Sequence, residues 1–372
     1  MSEEKKLKLE NPEIFINRVA EKKYFLDYFN GVPRNILFVY WPKSTWKTTL
    51  LNKVIKENLD NENFAVQYIN MRDVLIKDFS DFRNLFFPEN LKGKMKEIVS
   101  WIKFNFWFFG WDLDDEKMFK SNIFWVMLEK LKKAREKWIQ PVIILDEFQY
   151  LKNIIIDKEN NLTLIEELFK FFISITKQYN LAHVVCLTSD SYYMEKLYWD
   201  TKLSNTSDFY LMEHLSKKDI FYWLEEKENI DKKIVEKIWK NLWWSVWEIW
   251  QVLVSYKNTW NYKEKLDDLL DIKYSLIAEW ESSYSDNLYN IKTSDKEKEI
   301  IKYKIKNFKK VLKKIVKSGE FVRWKDWIAD FELIKELVDK DLWFYDTKQR
   351  KITANSKSFE IAFGRLLKEL NK

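Results

Sequence analysis

Lys47-Thr48-Thr49 follows a short polar turn, Trp41-Pro42-Lys43-Ser44-Thr45-Trp46, and the turn follows an apolar run, Ile36 to Tyr40. Leu50, Leu51, Val54 and Ile55 come next at helical spacing. A lysine and a hydroxyl residue at the start of a helix, after a strand and a tight loop, are suited to holding phosphate. The lysine neutralises charge, the hydroxyl reaches a divalent cation, and backbone N–H groups of the loop cradle the oxygens. The pattern GxxxxGK[ST] fits everywhere except its two glycines, which are Trp41 and Trp46 here. An indole at either place would block the approach that glycine allows.

The second chemical element is Asp146-Glu147, which ends the apolar run Val142 to Leu145. A carboxylate at the end of a buried parallel strand can hold the water shell of Mg²⁺, and its neighbour can orient and deprotonate a water. A solvated strand end is the plainer reading of the same pair. Thr188-Ser189 ends another buried run, His183 to Leu187, where a hydroxyl could touch a terminal phosphate or cap a helix. Arg18 lies in an N-terminal segment that could flank a nucleotide base, and is otherwise a surface arginine. Lys47, Glu147, Thr188 and Ser189 are the candidates for chemistry. Residues 41–49 with Arg18 are the candidates for nucleotide contact, and Thr48 and Asp146 for Mg²⁺.

The chain has 19 Trp and only 5 Gly among 372 residues. Glycine is ordinarily about 7% of a globular chain, and counting both residues together restores about 6.5%. Tryptophan also stands where glycine is physically expected. Trp138 joins a charged helix to an apolar strand, Trp199 precedes Asp200-Thr201, and Trp243-Trp244-Ser245-Val246-Trp247 lies at a helix junction. Some bacterial lineages read UGA as glycine, and that reading here accounts for both counts. A tryptophan-rich ATPase that has lost its loop is the alternative. Trp223, in an aromatic run, is expected to be a true core residue.

To position these groups the chain needs a parallel sheet. The elements expected are a helix carrying Phe25, Tyr28 and Phe29, a strand over 36–40, and a helix to about Asn58. Strands over 64–71 and 141–145, a helix over 161–179, a strand over 183–187 and a last strand at 209–212 come after them. Strand–helix alternation predicts an α/β fold with a parallel sheet. From His214 onward the pattern is helical, with Ser216 as a cap and a polar linker over 282–295. A basic helix over 300–317, a turn near Trp327, a helix over 332–339 and a hairpin over 344–353 suggest a winged helix, closed by a helix over 359–370. The domains expected are a flexible 1–11, a core over 12–212, a helical lid over 213–290 and a winged-helix-like domain over 291–372.

Phe15-Ile16-Asn17-Arg18, the loop at 41–49, Tyr68 to Arg72, Leu145-Asp146-Glu147-Phe148-Gln149 and Thr188-Ser189 together resemble the archaeal-type ATPase family. This is a P-loop group of the AAA+/STAND kind, and the resemblance covers most of residues 12–256. It implies ATP and Mg²⁺ as cofactors, hydrolysis, and nucleotide-driven movement of a lid and a winged helix. The lid of that family carries a Gly-Gly element, where this chain has Trp243-Trp244. Family members often carry an arginine between the sensor strand and the lid; between Leu197 and Glu213 the one cation is Lys202.

Charge and composition bound the partners. Net charge is +6, and residues 295–372 hold 21 Lys and Arg against 13 Asp and Glu, so the rest is slightly acidic. Lys302, Lys304, Lys306, Lys309, Lys310, Lys313 and Lys314, with Lys348, Arg350 and Lys351, could meet DNA phosphates or serve a protein contact. One cysteine, Cys186, excludes an internal disulfide, and two histidines leave little for a metal. No run reaches the ~18 apolar residues of a membrane span, and the charged start lacks a signal core, so a cytoplasmic location is expected. The reading is a Mg²⁺-dependent ATPase acting as a switch or motor. The alternative is a non-hydrolysing DNA-binding or scaffold protein with a degenerate phosphate loop.

Overall fold

The computed structural model describes residues 18–41, 47–79, 81–82, 123–160, 162–198, 200–201, 203–290, 293–322 and 331–370. The expectations for 1–11, Pro42 to Trp46, Trp199, Lys202 and Trp327 lie outside these residues, as does the whole stretch 83–122.

Five strands form one parallel sheet: β1 (Ile36–Tyr40), β2 (Phe64–Asn70), β3 (Gln140–Asp146), β6 (His183–Thr188) and β7 (Ser207–Leu211), in the order β2-β3-β6-β1-β7. Two short strands, β4 (Ile155–Asp157) and β5 (Leu162–Thr163), form a separate ribbon. β1, β3 and β6 are apolar at nearly every position because helices cover both faces. On one face Phe38, Ile143, Leu145, Val184 and Cys186 pack with Val126, Met127 and Leu131 of α3 (Ile123–Glu136) and Leu168 and Phe172 of α4 (Leu164–Ile173). On the other, Leu37, Val39, Val142, Ile144 and Val185 pack with Phe25 and Phe29 of α1 (Val19–Asn30) and Leu50, Leu51 and Val54 of α2 (Lys47–Val54). Period-two alternation of a strand sends its neighbours to opposite layers. This is the α/β P-loop fold with a parallel sheet that the pattern predicts. Cys186 and His183 are core residues of β6, and burial pushes the thiol up and the imidazole down to about 4.

A short helix, α5 (Ser191–Tyr198), follows β6. After β7 come α6 (Lys217–Phe221), α7 (Lys232–Leu242) and α8 (Val246–Thr259). Ser216 caps α6 in a capping box with Asp219. The helix α9 (Tyr262–Tyr289) is longer than the sequence suggests. Residues 282–289, read as linker, continue it. One side of that last stretch meets water and needs no apolar residues, while Trp280 and Tyr284 anchor the other through hydrogen bonds to Glu336. Leu266, Leu269 and Leu270 of α9 pack with α7 and α8, whereas Ile277 and Trp280 pack into the C-terminal core.

The C-terminal elements are α10 (Asp295–Ser318), β8 (Glu320–Val322), α11 (Phe331–Asp339), β9 (Trp343–Asp346), β10 (Lys351–Ala354) and α12 (Lys357–Glu369). The three strands form an antiparallel sheet in the order β8-β10-β9, and β9 and β10 pair as the expected hairpin. β9 and the first residue of the β9–β10 turn pack against α5, while Lys348 and Gln349 at the tip are exposed. Tyr345 N–H donates to Ser191 Oγ (3.3 Å), the Tyr345 hydroxyl donates to Glu195 (3.0 Å), and the Thr347 hydroxyl donates to the Ser191 carbonyl (3.1 Å). A second seam joins α8 to α12, where the buried Glu248 accepts from Ser358 (2.8 Å) and pairs with Lys273 (3.2 Å).

Candidate nucleotide site

The register of the sheet aligns the ends of all five strands. Tyr40 lies opposite Thr188 and Leu211, and Asp146 lies opposite Asn70 and Leu187. The residues just beyond these ends therefore meet at one edge. Trp41 comes after β1, Glu147 after β3, Ser189 after β6, and Arg72 after β2. Carboxyl ends of parallel strands are where open α/β sheets bind ligands. Lys47, Thr48 and Thr49 open α2 directly beyond this edge. Trp41 is buried among α1, α2 and β1.

Asp146 is buried, and its Oδ2 accepts from the Tyr68 hydroxyl (2.7 Å). Among the described residues no three His, Cys, Asp or Glu side chains gather as a metal site.

Glu147 is 1% exposed and sits at φ 56°, in the left-handed region. Non-glycine residues held there cost of order 1–3 kcal/mol and cluster at functional sites. Three donors converge on its carboxylate: Arg72 Nη2 (2.9 Å), Gln149 Nε2 (2.6 Å) and Ser189 Oγ (3.1 Å). Gln149 also accepts from the Thr188 hydroxyl (2.6 Å), so one side chain bridges the acidic turn and the end of β6. Thr188 Oγ1 in turn accepts from Asp190 N–H (3.0 Å), and Asp190 accepts from Tyr193 N–H (2.8 Å) at the start of α5. Asp146, Glu147, Thr188 and Ser189 are thus brought together. Arg72, which by following the second strand could face the site though not as a catalytic residue, joins them, as does Gln149, to which the sequence assigned no role of its own. Both belong to the motifs that carry the family resemblance, and strand-end position was the signal that could have placed Gln149 as well.

Arg18 takes up a different position. It is 6% exposed, donates to the Glu213 carbonyl (2.7 Å) and pairs with Glu21. Met212 N–H donates to the Tyr40 carbonyl (2.9 Å), so this segment adjoins the start of the phosphate loop. His214 is next in the chain but one and stacks on Trp244 with ring centroids 4.7 Å apart and planes at 28°. Burial, with the Arg18 charge adding to it, pushes His214 down to about 3. Arg18 therefore ties the N-terminal segment to the exit from the sheet, apart from the Glu147 cluster. His214 had no role in the sequence reading.

The C-terminal hairpin reaches the same edge. Asp346 and Thr347 are buried, and burial pushes the Tyr40 phenol up, with the Asp346 carboxylate adding to the shift. Ser191, which receives Tyr345 and Thr347, stands two residues beyond Ser189.

Comparison with known proteins agrees with this geometry. Residues 15–251 match the family described as an ATPase domain predominantly from Archaea. The uncharacterized ATP-binding protein MJ1076 of Methanocaldococcus jannaschii is 31% identical over 339 residues, covering 89% of this chain and 93% of the relative. A second protein of that organism, MJ1006, is 32% identical over 219 residues, covering 57% and 60%. The Walker-type ATPase PABY2304 of Pyrococcus abyssi shares the fold with a TM-score of 0.60 at 12% identity, over 95% of this chain and 97% of that one. Fold, motif positions and sequence match coincide: the chain belongs to the family of ATPase domains found predominantly in Archaea.

Proposed function

We propose that the protein is a Mg²⁺-dependent ATPase in which nucleotide state controls the docking of the C-terminal hairpin. In this reading the loop 41–46 carries glycine at 41 and 46. Its backbone N–H groups, from Lys43 to Thr48, hold the phosphates, and the Lys47 ammonium neutralises them. Thr48 and Asp146 hold Mg²⁺, which when bound neutralises charge on the β- and γ-phosphates. Arg18 and His214 flank the base. Glu147 takes the proton of the attacking water. Thr188 and Ser189 report the terminal phosphate, the first through Gln149 and the second directly. The units that move are a core over 12–212, a lid over 213–290 and a C-terminal part over 291–372, in a cytoplasmic protein.

One observation carries the switch reading: Ser189 bonds Glu147, and Ser191, two residues along the same backbone, receives Tyr345 and Thr347. A base that already accepts from three donors is held out of reaction. To take a proton it must release at least one of them, and Ser189 cannot move far without pulling on Ser191. Hydrolysis and hairpin docking are then two readouts of one equilibrium. Replacing Thr347 by Val and Tyr345 by Phe removes two hydrogen bonds of about 1 kcal/mol each, and so weakens docking by roughly 10–30-fold. Turnover of the glycine-containing chain is expected to rise several-fold with its ATP affinity unchanged. Turnover identical to that of the parent would break the link between hairpin and site.

A second role at DNA has its own support. Lys302, Lys306, Lys310, Lys313, Lys314 and Lys317 of α10 are exposed, opposite a buried face of Ile305, Phe308, Val311, Leu312 and Ile315. From the hairpin this surface gains the exposed Lys348, whereas Lys351 pairs with Glu320 (3.3 Å) and Thr347 is held on α5. DNA would meet α10 first.

A further inference from the structure

Three tryptophans stand where the backbone is left-handed: Trp138 at φ 63°, Trp243 at φ 45° and Trp260 at φ 57°. For a bulky side chain such angles are true outliers; asparagine and aspartate tolerate them best, as Asn180, Asn229 and Asp341 do here. Each of the three tryptophans ends a helix. At the end of α3, Trp138 N–H donates to the Arg135 carbonyl (3.0 Å) and Ile139 N–H to the Ala134 carbonyl (3.0 Å). This is the Schellman closure, whose left-handed position is usually glycine. At the end of α8, Trp260 N–H donates to the Tyr256 carbonyl (2.8 Å). Gly319 does the same work at the end of α10, with φ 78° and a bond to the Ile315 carbonyl (2.7 Å). Trp243 ends α7 with ψ −115°, which lies outside the left-handed helical well that other residues visit.

Little offsets the strain at two of these positions. The side chains of Trp138 and Trp260 are 89% and 78% exposed, so their indoles gain almost nothing from burial. Other tryptophans are of a different kind. Trp223 and Trp280 are buried, and their indole N–H groups donate to Glu228 (3.0 Å) and Glu336 (2.8 Å). The chain thus contains tryptophans in tryptophan environments and tryptophans in glycine environments.

We infer that the native protein carries glycine at 138, 243 and 260, and, by the same codon, at 41 and 46, the two positions where the phosphate-binding motif lacks its glycines. A single codon read as glycine in the native cell produces the whole set. Positions 41 and 46 rest on the phosphate-site reading, whereas 138, 243 and 260 rest on backbone geometry alone.

Peptide mass spectrometry of the protein made by its native cells tests this directly. Trypsin releases residues 138–152, 241–257 and 258–263, with 219–227 as the reference for Trp223. Glycine at 138, 243 and 260 is expected, with tryptophan at 223; tryptophan at any of the first three overturns the inference. A second test uses the recombinant chain as written. Trp138→Gly and Trp260→Gly should unfold at a higher midpoint than Trp138→Ala and Trp260→Ala, because alanine removes the indole but keeps the left-handed penalty. Alanine variants as stable as the glycine variants would equally overturn it. Neither readout involves ATP, so a glycine-containing chain that fails to bind nucleotide refutes the phosphate site without touching this conclusion.

Discussion

Replacing Glu147 by Gln separates the chemical role of this side chain from its structural one. The carboxylate accepts from Arg72, Gln149 and Ser189 and is 1% exposed. An amide offers one accepting oxygen and two donors. Gln149 or Ser189 keeps a partner, the serine hydroxyl can turn to accept, and the half-exposed Arg72 side chain returns to water. One buried hydrogen bond and a solvent-screened ion pair are lost, at a cost of about 1–2 kcal/mol. The backbone at φ 56° is unaffected, since Gln meets the same restriction as Glu. Against a stability of roughly 5–15 kcal/mol the variant stays folded. Removing a general base costs about 10²–10⁴ in rate, or some 3–5 kcal/mol of barrier. The assay is phosphate release from Mg-ATP by a chain with glycine at 41 and 46, alongside ATP affinity and urea unfolding. Turnover should fall at least a hundredfold while affinity holds and the unfolding midpoint drops slightly. A folded variant that hydrolyses ATP within a few-fold of the parent would remove Glu147 from the reaction.

Other outcomes are expected from the same contacts. Stability should fall on acidification, because His183 is held neutral at about 4 in the fold while an unfolded histidine titrates near 6.5. The unfolded chain then binds the extra proton between those values, so this contribution is complete above pH 6.5 and is lost as pH falls toward 4. It amounts to about 2 kcal/mol between pH 7 and 5, measured by urea titration, and a flat profile in that window would contradict it. If DNA is bound, replacing Lys306, Lys310 and Lys313 by Glu should weaken binding at all sequences and flatten its salt dependence by roughly 3 units of log–log slope, whereas an unchanged slope in a filter-binding titration takes α10 out of the contact.

Much of this molecule was legible in its residues. The apolar run Ile36 to Tyr40, followed by a loop and Lys47-Thr48, and the runs ending in Asp146-Glu147 and Thr188-Ser189 mark three strands and the edge they share, because a strand buried on both faces must be apolar. Partners across strands were less legible. Arg72 and Gln149 reach Glu147 only through the register of β2, β3 and β6, which no local period encodes. The docking of Tyr345 and Thr347 on Ser191 was hidden for the same reason, and a hairpin tip with Lys348 and Arg350 reads as solvent-facing in isolation. The helix through 282–289 was missed because a one-sided helix over a polar stretch looks like a linker until Trp280 and Tyr284 find Glu336. The glycine-like tryptophans were visible as a count and, for Trp138 and Trp243, as junction positions distinct from the core Trp223; the dihedral angles add Trp260 and give all three a backbone reason.

The central claim is that the edge formed by β1, β3 and β6 is a working ATP site once its loop carries glycine. Calorimetric titration with Mg-ATP tests it most directly, using the chain as written, the chain with glycine at 41, 46, 138, 243 and 260, and the latter with Lys47→Ala. Binding by the glycine chain alone, lost on Lys47→Ala, is the predicted result. Equal binding by the chain as written, or no loss with Lys47→Ala, would contradict it.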